Sequence, residues 1–589
     1  MKLFFAIIPL VFALSLPGTA ATPARSAGSA NFDDADSSLQ RGATMEAAAA
    51  AEKGWAAVLA AGVTAPGFID GVYQASRIFD AVGRKLRAEA VYNEAENMCA
   101  SPALQVSRVR LQYMHADRLI RNSEYVKAEG VLRAALSATD RAAQKSSFYV
   151  ALLQTMAFLR EQQGDPEGAE AFYRMTIGRS QPDLSGVVVP MFSWSKQRLP
   201  FVGEPRSSMA AFYSNHGRMK EAEILYREQL AEPSLTQEER LGAMRQLVSF
   251  LSVHGSKADA IAMEEQVIGL LKTHPLTTSE LRDGLANEHY TLANLQADAG
   301  RAEDGKALLE SDLRQAEAHY GKNSPEYTEA LNYYFENRRY TRDYDTAEKL
   351  AREEVERAEA EVGSERVSLA SAMFRLADML REKGQIAESE ALRAKTIRMN
   401  RAAFPEPAST AQFADAEGLV KAGKPGEAVR VARQIPESAA QSDIDSEQFG
   451  FLHLAQSMAG EHKAEAAEIA SIALLTDERR RLPDDPRLAR DLTDWANFYR
   501  GVLRQPDRAL DLLTRAEAIV RACCGTESPT MEPVLQERAW LAMATAGQGA
   551  GIPFLEQLRA LRISIYGAMS QEVQQADREL SEAKAKAAQ

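Results

Sequence analysis

The apolar positions of this chain fall into stretches with the three- and four-residue spacing of helices, and one short phrase punctuates them about every forty residues. The phrase is a helix-ending turn, four residues, then a small residue, usually followed by Glu. It reads Gly83-Arg84 to Ala88-Glu89, Ser123 to Ala128-Glu129, Gly164-Asp165 to Ala169-Glu170, Gly217-Arg218 to Ala222-Glu223, and His254-Gly255 to Ala260. It continues as Gly300-Arg301 to Gly305, Arg342-Asp343 to Ala347-Glu348, Gly384-Gln385 to Ser389-Glu390, Gly423-Lys424 to Ala428, Gly460 to Ala466, and Arg504-Gln505 to Ala509. A fixed period of this length predicts stacked helical pairs, about eleven of them. The period is cleanest where Gly300, Arg342 and Gly384 stand forty-two residues apart. Apolar residues flank these turns at matching offsets: Leu292-Ala293, Tyr334 and Leu376-Ala377 before, Leu308-Leu309, Leu350-Ala351 and Leu392 after. A small residue five places past the turn lets the second helix approach the first closely. The Glu after it is expected to face solvent or the next repeat.

The ends depart from this pattern. Met1-Lys2, the apolar run Leu3 to Leu16 and the small residues up to Ala20-Ala21 have the layout of a secretory signal peptide, with cleavage expected after Ala20 or Ala21. The run is shorter than the roughly twenty residues of a spanning helix, and no later segment is apolar for long enough, so the mature chain is expected to carry no integral membrane segment. Residues 21–45, rich in Ser, Gly, Asp and Pro, read as a flexible tether. The stretch 181–206 interrupts the helical repeats at 46–204 with an apolar, β-prone run from Val187 to Trp194 bracketed by Gly and Pro. It is read as a loop over a seam, or as a docking patch through Met191, Phe192 and Trp194.

Composition narrows the function classes. Lys and Arg total 69 against 82 Asp and Glu, a net charge of −13, which argues against a nucleic-acid partner because phosphate binding needs clustered positive charge. Three Cys in a chain of 589 residues exclude a disulfide framework. Cys523 and Cys524 are adjacent, and small packed side chains are the expectation for them. The 8 His are scattered without a metal-binding spacing, and no Ser sits in a nucleophile elbow, so neither catalysis nor a metal or other cofactor is expected. Gly547, Gly549 and Gly551 follow a helix and read as its terminating turn, not as a phosphate loop.

The phrases Gly217-Arg-Met-Lys-Glu-Ala-Glu-Ile-Leu-Tyr and Gly384-Gln-Ile-Ala-Glu-Ser-Glu-Ala-Leu, with Gly-x-x-Ser-Pro at Gly321 to Pro325 and Gly525 to Pro529, resemble the tetratricopeptide repeat. The likeness is narrowest to the forty-two-residue variety of kinesin light chains. It is strong over 205–400 and degenerate over 401–580. The resemblance implies an all-α, right-handed superhelical solenoid of stacked antiparallel helix pairs, with the first helix of each pair lining a concave groove. Its ligand-contacting offsets fall at Asn287, Tyr290, Asn294 and Asp298, then Asn332, Glu336, Arg339 and Tyr340, then Phe374, Asp378, Arg381 and Glu382. Asn suits such a face because its amide donates to and accepts from a peptide backbone at once. The expected function is that of an exported, periplasmic or secreted, non-enzymatic scaffold that binds a protein or an extended peptide. A component of an envelope assembly, docked through 181–206, is the alternative, and a hydrolase within the region from 405 onward is a remote one.

Overall fold

A computed structural model of the chain describes residues 26–139, 147–177, 204–273, 278–360, 366–403, 408–435 and 444–588. Among these, every regular element is helical, and the helices form thirteen consecutive pairs and one closing helix. The pairs are α1 (Ser29–Gln40) with α2 (Thr44–Ala61), α3 (Phe68–Ala81) with α4 (Lys85–Met98), α5 (Gln105–Arg121) with α6 (Tyr125–Ala138), and α7 (Ser147–Gln162) with α8 (Pro166–Thr176). Then come α9 (Pro205–Asn215) with α10 (Met219–Leu230), α11 (Gln237–His254) with α12 (Lys257–Thr273), α13 (Thr278–Asp298) with α14 (Ala302–Tyr320), and α15 (Pro325–Tyr340) with α16 (Tyr344–Ala360). The last are α17 (Arg366–Glu382) with α18 (Ile386–Ala403), α19 (Ala408–Lys421) with α20 (Pro425–Ala432), α21 (Ile444–Met458) with α22 (Lys463–Arg480), α23 (Pro486–Phe498) with α24 (Pro506–Cys523), and α25 (Glu532–Ala546) with α26 (Ile552–Tyr566). Helix α27 (Gln571–Ala587) packs on α26 and closes the stack.

The turn phrase works as its residues predict. Gly83, Gly164, Gly217, Gly300, Gly384 and Gly423 are left-handed, with φ between 73° and 89°. The next N–H reaches back over the helix end, Arg84 to the Phe79 carbonyl at 2.7 Å and Gln385 to Leu380 at 2.8 Å, which satisfies a carbonyl the helix leaves open. Where the phrase carries Ser123, Arg342 or Arg504 instead, the conformation is kept, at φ 62°, 60° and 60°. Two turns differ. Gly255 is extended at φ −111°, ψ −156°, and the Gly460 turn closes through His462 N–H on the Met458 carbonyl at 2.8 Å.

The small residue after each turn sits at the crossing of its two helices. Ala88, Ala128, Ala169, Ala222, Ala260, Ala347, Ala428, Ala466 and Ala509 are wholly buried. A Cβ on Gly305 would stand 2.7 Å from the Ala293 carbonyl oxygen, and Ser389 instead donates its hydroxyl to the Ala377 carbonyl at 2.6 Å. In four repeats the Glu that follows turns to the next pair, whereas Glu223 pairs with Arg227 of its own helix and Glu390 is exposed. Glu89 meets Arg118 at 2.7 Å, Glu129 takes Gln163 at 3.0 Å, Glu170 accepts from Tyr213 at 2.8 Å, and Glu348 pairs with Lys383 at 2.7 Å.

Two sequence expectations are corrected. Most of the stretch read as a tether, 21–45, is ordered as α1 and the start of α2: Phe32 and Ala35 are buried, the Phe32 ring lies on Gly54 of α2, and Asp36 pairs with Arg77 at 2.7 Å. Its Ser and Asp residues hide an apolar stripe at 32, 35 and 39 that finds a partner only once α2 and α3 are in place. Cys523 and Cys524 are joined as a disulfide between chain neighbours, whereas Cys99 is a buried free thiol. Residues 1–20, with the cleavage site, and Met191, Phe192 and Trp194 of the 181–206 stretch lie outside the described residues; Pro205 and Arg206 open α9.

Consecutive pairs pack side by side through α18 and again from α19 on, and first helices also touch one another, α13 on α15, α19 on α21 and α23 on α25. Such contacts on one layer bend the stack toward its first helices. The bend carries the chain round to meet itself. The hairpin turns of the second and fourth pairs lie against connecting loops nine pairs later, and the third pair meets the end of α26. Leu482 joins the core of the first two pairs, and Arg84 pairs with Asp484 at 3.6 Å. A side chain on Gly83 would collide with Pro486. Gly525 lies next to Leu86, the Tyr125 ring meets Tyr566 edge-on at 5.8 Å, and Gly164 abuts the Met569 carbonyl. These contacts form one seam.

Candidate partner-binding face

The residues at the family's contact offsets lie on α13, α15 and α17, and the forty-two-residue period brings their side chains together across the repeats. Asn294 Oδ1 accepts from Asn337 Nδ2 at 2.8 Å. Asn332 Oδ1 accepts from Arg375. Arg339 forks onto Glu382, with Nη2 at 2.6 Å and Nε at 3.0 Å. The Tyr340 hydroxyl donates to Asp298 Oδ1 at 2.5 Å, and Lys257 of α12 reaches the other oxygen at 3.0 Å. Tyr290 stacks on Tyr333 with ring centroids 5.1 Å apart. Each of these links between first helices spans forty-two or forty-three positions, one repeat.

The arrangement sorts the eight predicted residues. Tyr290, Asn294, Asn332, Arg339 and Tyr340 are tied to the neighbouring first helix. Asp378 pairs with Arg393 of its own second helix. Asn287 is half-buried and Arg381 is exposed. Tyr340 keeps 55% of its surface exposed although its hydroxyl is fixed, so its ring faces outward. The strip therefore presents a held aromatic ring, an exposed guanidinium and amides at one-repeat intervals. Asn337, Arg375, Tyr333 and Lys257 also build it and were missed. Their signal was available, because each stands about one repeat from a residue already singled out.

Charge on the strip is balanced locally. Burial works against the Asp298 carboxylate, but the Tyr340 hydroxyl and Lys257 outweigh it and hold its carboxyl below the usual range. The same bond, with burial, pushes the Tyr340 hydroxyl up to about 12. Deeper in, Glu264 of α12 is 1% exposed and neither of its oxygens has a donor. Burial pushes its carboxyl far up, and neighbouring Glu288, which holds Arg245 at 2.6 Å, pushes the same way. Kept as the acid, Glu264 has a proton to give to Glu288.

Two clefts lie off this strip. One of about 600 Å3 is lined by Lys322, Glu353 and the charged face of α16, with Lys322 on Glu353 at 3.0 Å and Arg352 on Glu388 at 2.7 Å. The other, about 380 Å3, holds His453, His462, Glu417 and Ser457. There His453 meets Glu417 at 2.7 Å, while Ser457 gives its hydroxyl proton to the Leu454 carbonyl. In the region from 405 onward Asp445, Asp477 and Asp491 gather on Arg481. Burial, with Asp491 adding, pushes Asp477 up to about 7 against the pull of Arg481. Arg481 engages all three of these carboxylates. Among the described residues no group of three metal-ligating side chains converges, and no helix is long and apolar enough to cross a membrane.

No protein-family model matches the chain, and no curated protein matches it. Solved structures do. Tetratricopeptide-like repeats of a putative kinesin light chain from Podospora anserina share 18% identity over 34% of this chain and 96% of their own, at a TM-score of 0.26. BtubC (BKLC) from P. vanneervenii shares 15% over 45% of this chain and 94% of its own, also at 0.26. A chain of the APC/C hetero-tetramer Cut9–Hcn1 shares 11% over 94% of this chain and 96% of its own, at 0.20. These likenesses concern the helical-repeat fold alone. The chain is an all-α solenoid of tetratricopeptide-like pairs, an architecture read from the turns, crossings and ladders above.

Proposed function

We propose that the chain is an exported, non-enzymatic scaffold that holds an extended segment of a protein partner along the strip on α13, α15 and α17. The observation that carries this reading is the register of that strip: Asn294 with Asn337, Asn332 with Arg375 and Tyr340 with Asp298 pair across one repeat on neighbouring first helices, which holds these side chains in place, while Arg381 stays exposed. An extended peptide offers backbone donors and acceptors at regular intervals, and fixed amides with a held aromatic ring match such a ligand without a large ordering cost. Export rests on the layout of residues 1–21.

The test is selection of linear peptides from a random library, displayed with one end free, on the immobilised native chain. Enriched peptides are expected to lose at least tenfold in affinity to a variant with Asn287→Ala and Arg381→Glu, chosen because neither residue is part of the inter-repeat ladder. The N-terminus of the same preparation is expected to read Ala21 or Thr22. Equal affinity for parent and variant, at equal melting temperature, sinks the groove reading.

A further inference from the structure

We infer that the strip lines a bore closed by the seam, and that its occupant is a single extended polypeptide entering by a free end, not the face of a folded domain. The inference rests on the proposed function and specifies its partner. Its ground is the seam. The Gly83 turn meets Pro486, Leu86 meets Gly525, and Gly164 meets the Met569 carbonyl, nine or ten pairs later in the stack. A stack whose fourth pair rests against the loop beyond its thirteenth has come round on itself, so the first-helix face has no open side along the seam.

The width follows from helix packing. Nine first helices spaced at 8–10 Å make a ring of roughly 80 Å through their axes, about 25 Å across, and subtracting one helix diameter leaves a bore of about 15 Å. Any departure from a circle narrows it. An extended chain fits, and so does one bare helix of about 10 Å. A compact domain of about 100 residues, with a radius of gyration near 13 Å, does not. The contents of the strip agree with a thin occupant: one solvent-facing ring at Tyr340 and one exposed guanidinium at Arg381, with Asn294, Asn332 and Arg339 engaged between repeats.

The seam is built to be tested, because the turn glycines form a natural control. A Cβ at Gly83 or Gly164 would strike the facing loop, whereas at Gly217 or Gly300 it would meet nothing within 4 Å, though all four have positive φ. The conformational cost of Ala is therefore shared and the collision is not.

Gly83→Ala with Gly164→Ala is compared with Gly217→Ala with Gly300→Ala in the whole chain, and Arg84→Glu serves as a milder seam variant should the first pair fold poorly. X-ray scattering is expected to show a larger radius of gyration, and hydrogen exchange a loss of protection at 482–486 and 567–570, in the seam variants alone. A peptide from the selection above is then presented with one free end, or with a compact domain fused to both ends. The doubly blocked probe is expected to associate with the parent and the control at least 100-fold more slowly than the free-ended one, and to recover in the seam variants. Equal association of the two probes with the parent overturns the inference, as does a seam variant with the scattering and exchange of the control. Failure of the proposed function has a different signature: no peptide is enriched while the seam contrast persists, and the inference then falls with that function.

Discussion

At the scale of single residues, the chain records where its backbone is strained. Among the described residues, the three non-glycine residues with positive φ, Ser123, Arg342 and Arg504, stand where the turn phrase lacks its glycine. L-residues in this region cost about 1 kcal/mol relative to Gly. Arg342 is exposed, so its replacement removes that cost and little else. Arg342→Gly is expected to stabilise the fold by about 0.5–1 kcal/mol, read as a rise in the urea midpoint. Glu264 shows the opposite case, a costly group held by burial. Its folded carboxyl is raised above its unfolded value, so the folded state binds the extra proton and stability falls as pH climbs from the ordinary carboxylate range toward the folded value. Glu264→Gln keeps a donor for Glu288 and removes the titration. Melts between pH 5 and pH 9 should show the variant gaining on the parent as pH rises, by at least ~1 kcal/mol at the upper end; parallel curves would place the proton elsewhere.

At the scale of elements, the repeat is joined by two devices of different legibility. The turn, the buried small residue and the Glu that reaches the next pair lie close together in sequence and could be read from it. The ladder along the first helices joins residues a whole repeat apart, and only packing selects which polar groups meet. Asn294 and Asn332 are good contact candidates by type, yet their amides are engaged by Asn337 and Arg375. Burying an amide without a partner costs more than the bond returns, so such a position is satisfied within the fold before any ligand arrives. A double-mutant cycle of Asn294→Ala and Asn337→Ala should give a coupling of about 1 kcal/mol in chemical unfolding. A value near zero would mean the two amides act independently and that Asn294 is free for a partner. The first pair teaches a related lesson. Helix α1 is short and rich in Ser and Asp, with little helical drive of its own, and it is fixed by Phe32 on α2 and by Asp36 on Arg77.

At the scale of the whole molecule, the seam is modest in size. Burial of Leu482 contributes about 2 kcal/mol, the edge-on Tyr125–Tyr566 contact about 1, and the Arg84–Asp484 pair, a third exposed on both sides, less than that. A contact of this order holds two stacked turns together while leaving their separation within reach of a bound partner's energy. By itself the sequence determined the class of the fold, the place of nearly every helical turn and the small residues at the crossings. All of these depend on contacts within one repeat, where residue type and spacing state the requirement directly. The tertiary structure alone decided that Phe32 belongs to a helix, which amides bridge repeats and where the stack meets itself. The angle between successive pairs is small and accumulates, and a difference of a few degrees per repeat decides whether residues some four hundred positions apart touch or miss. No local phrase encodes that sum.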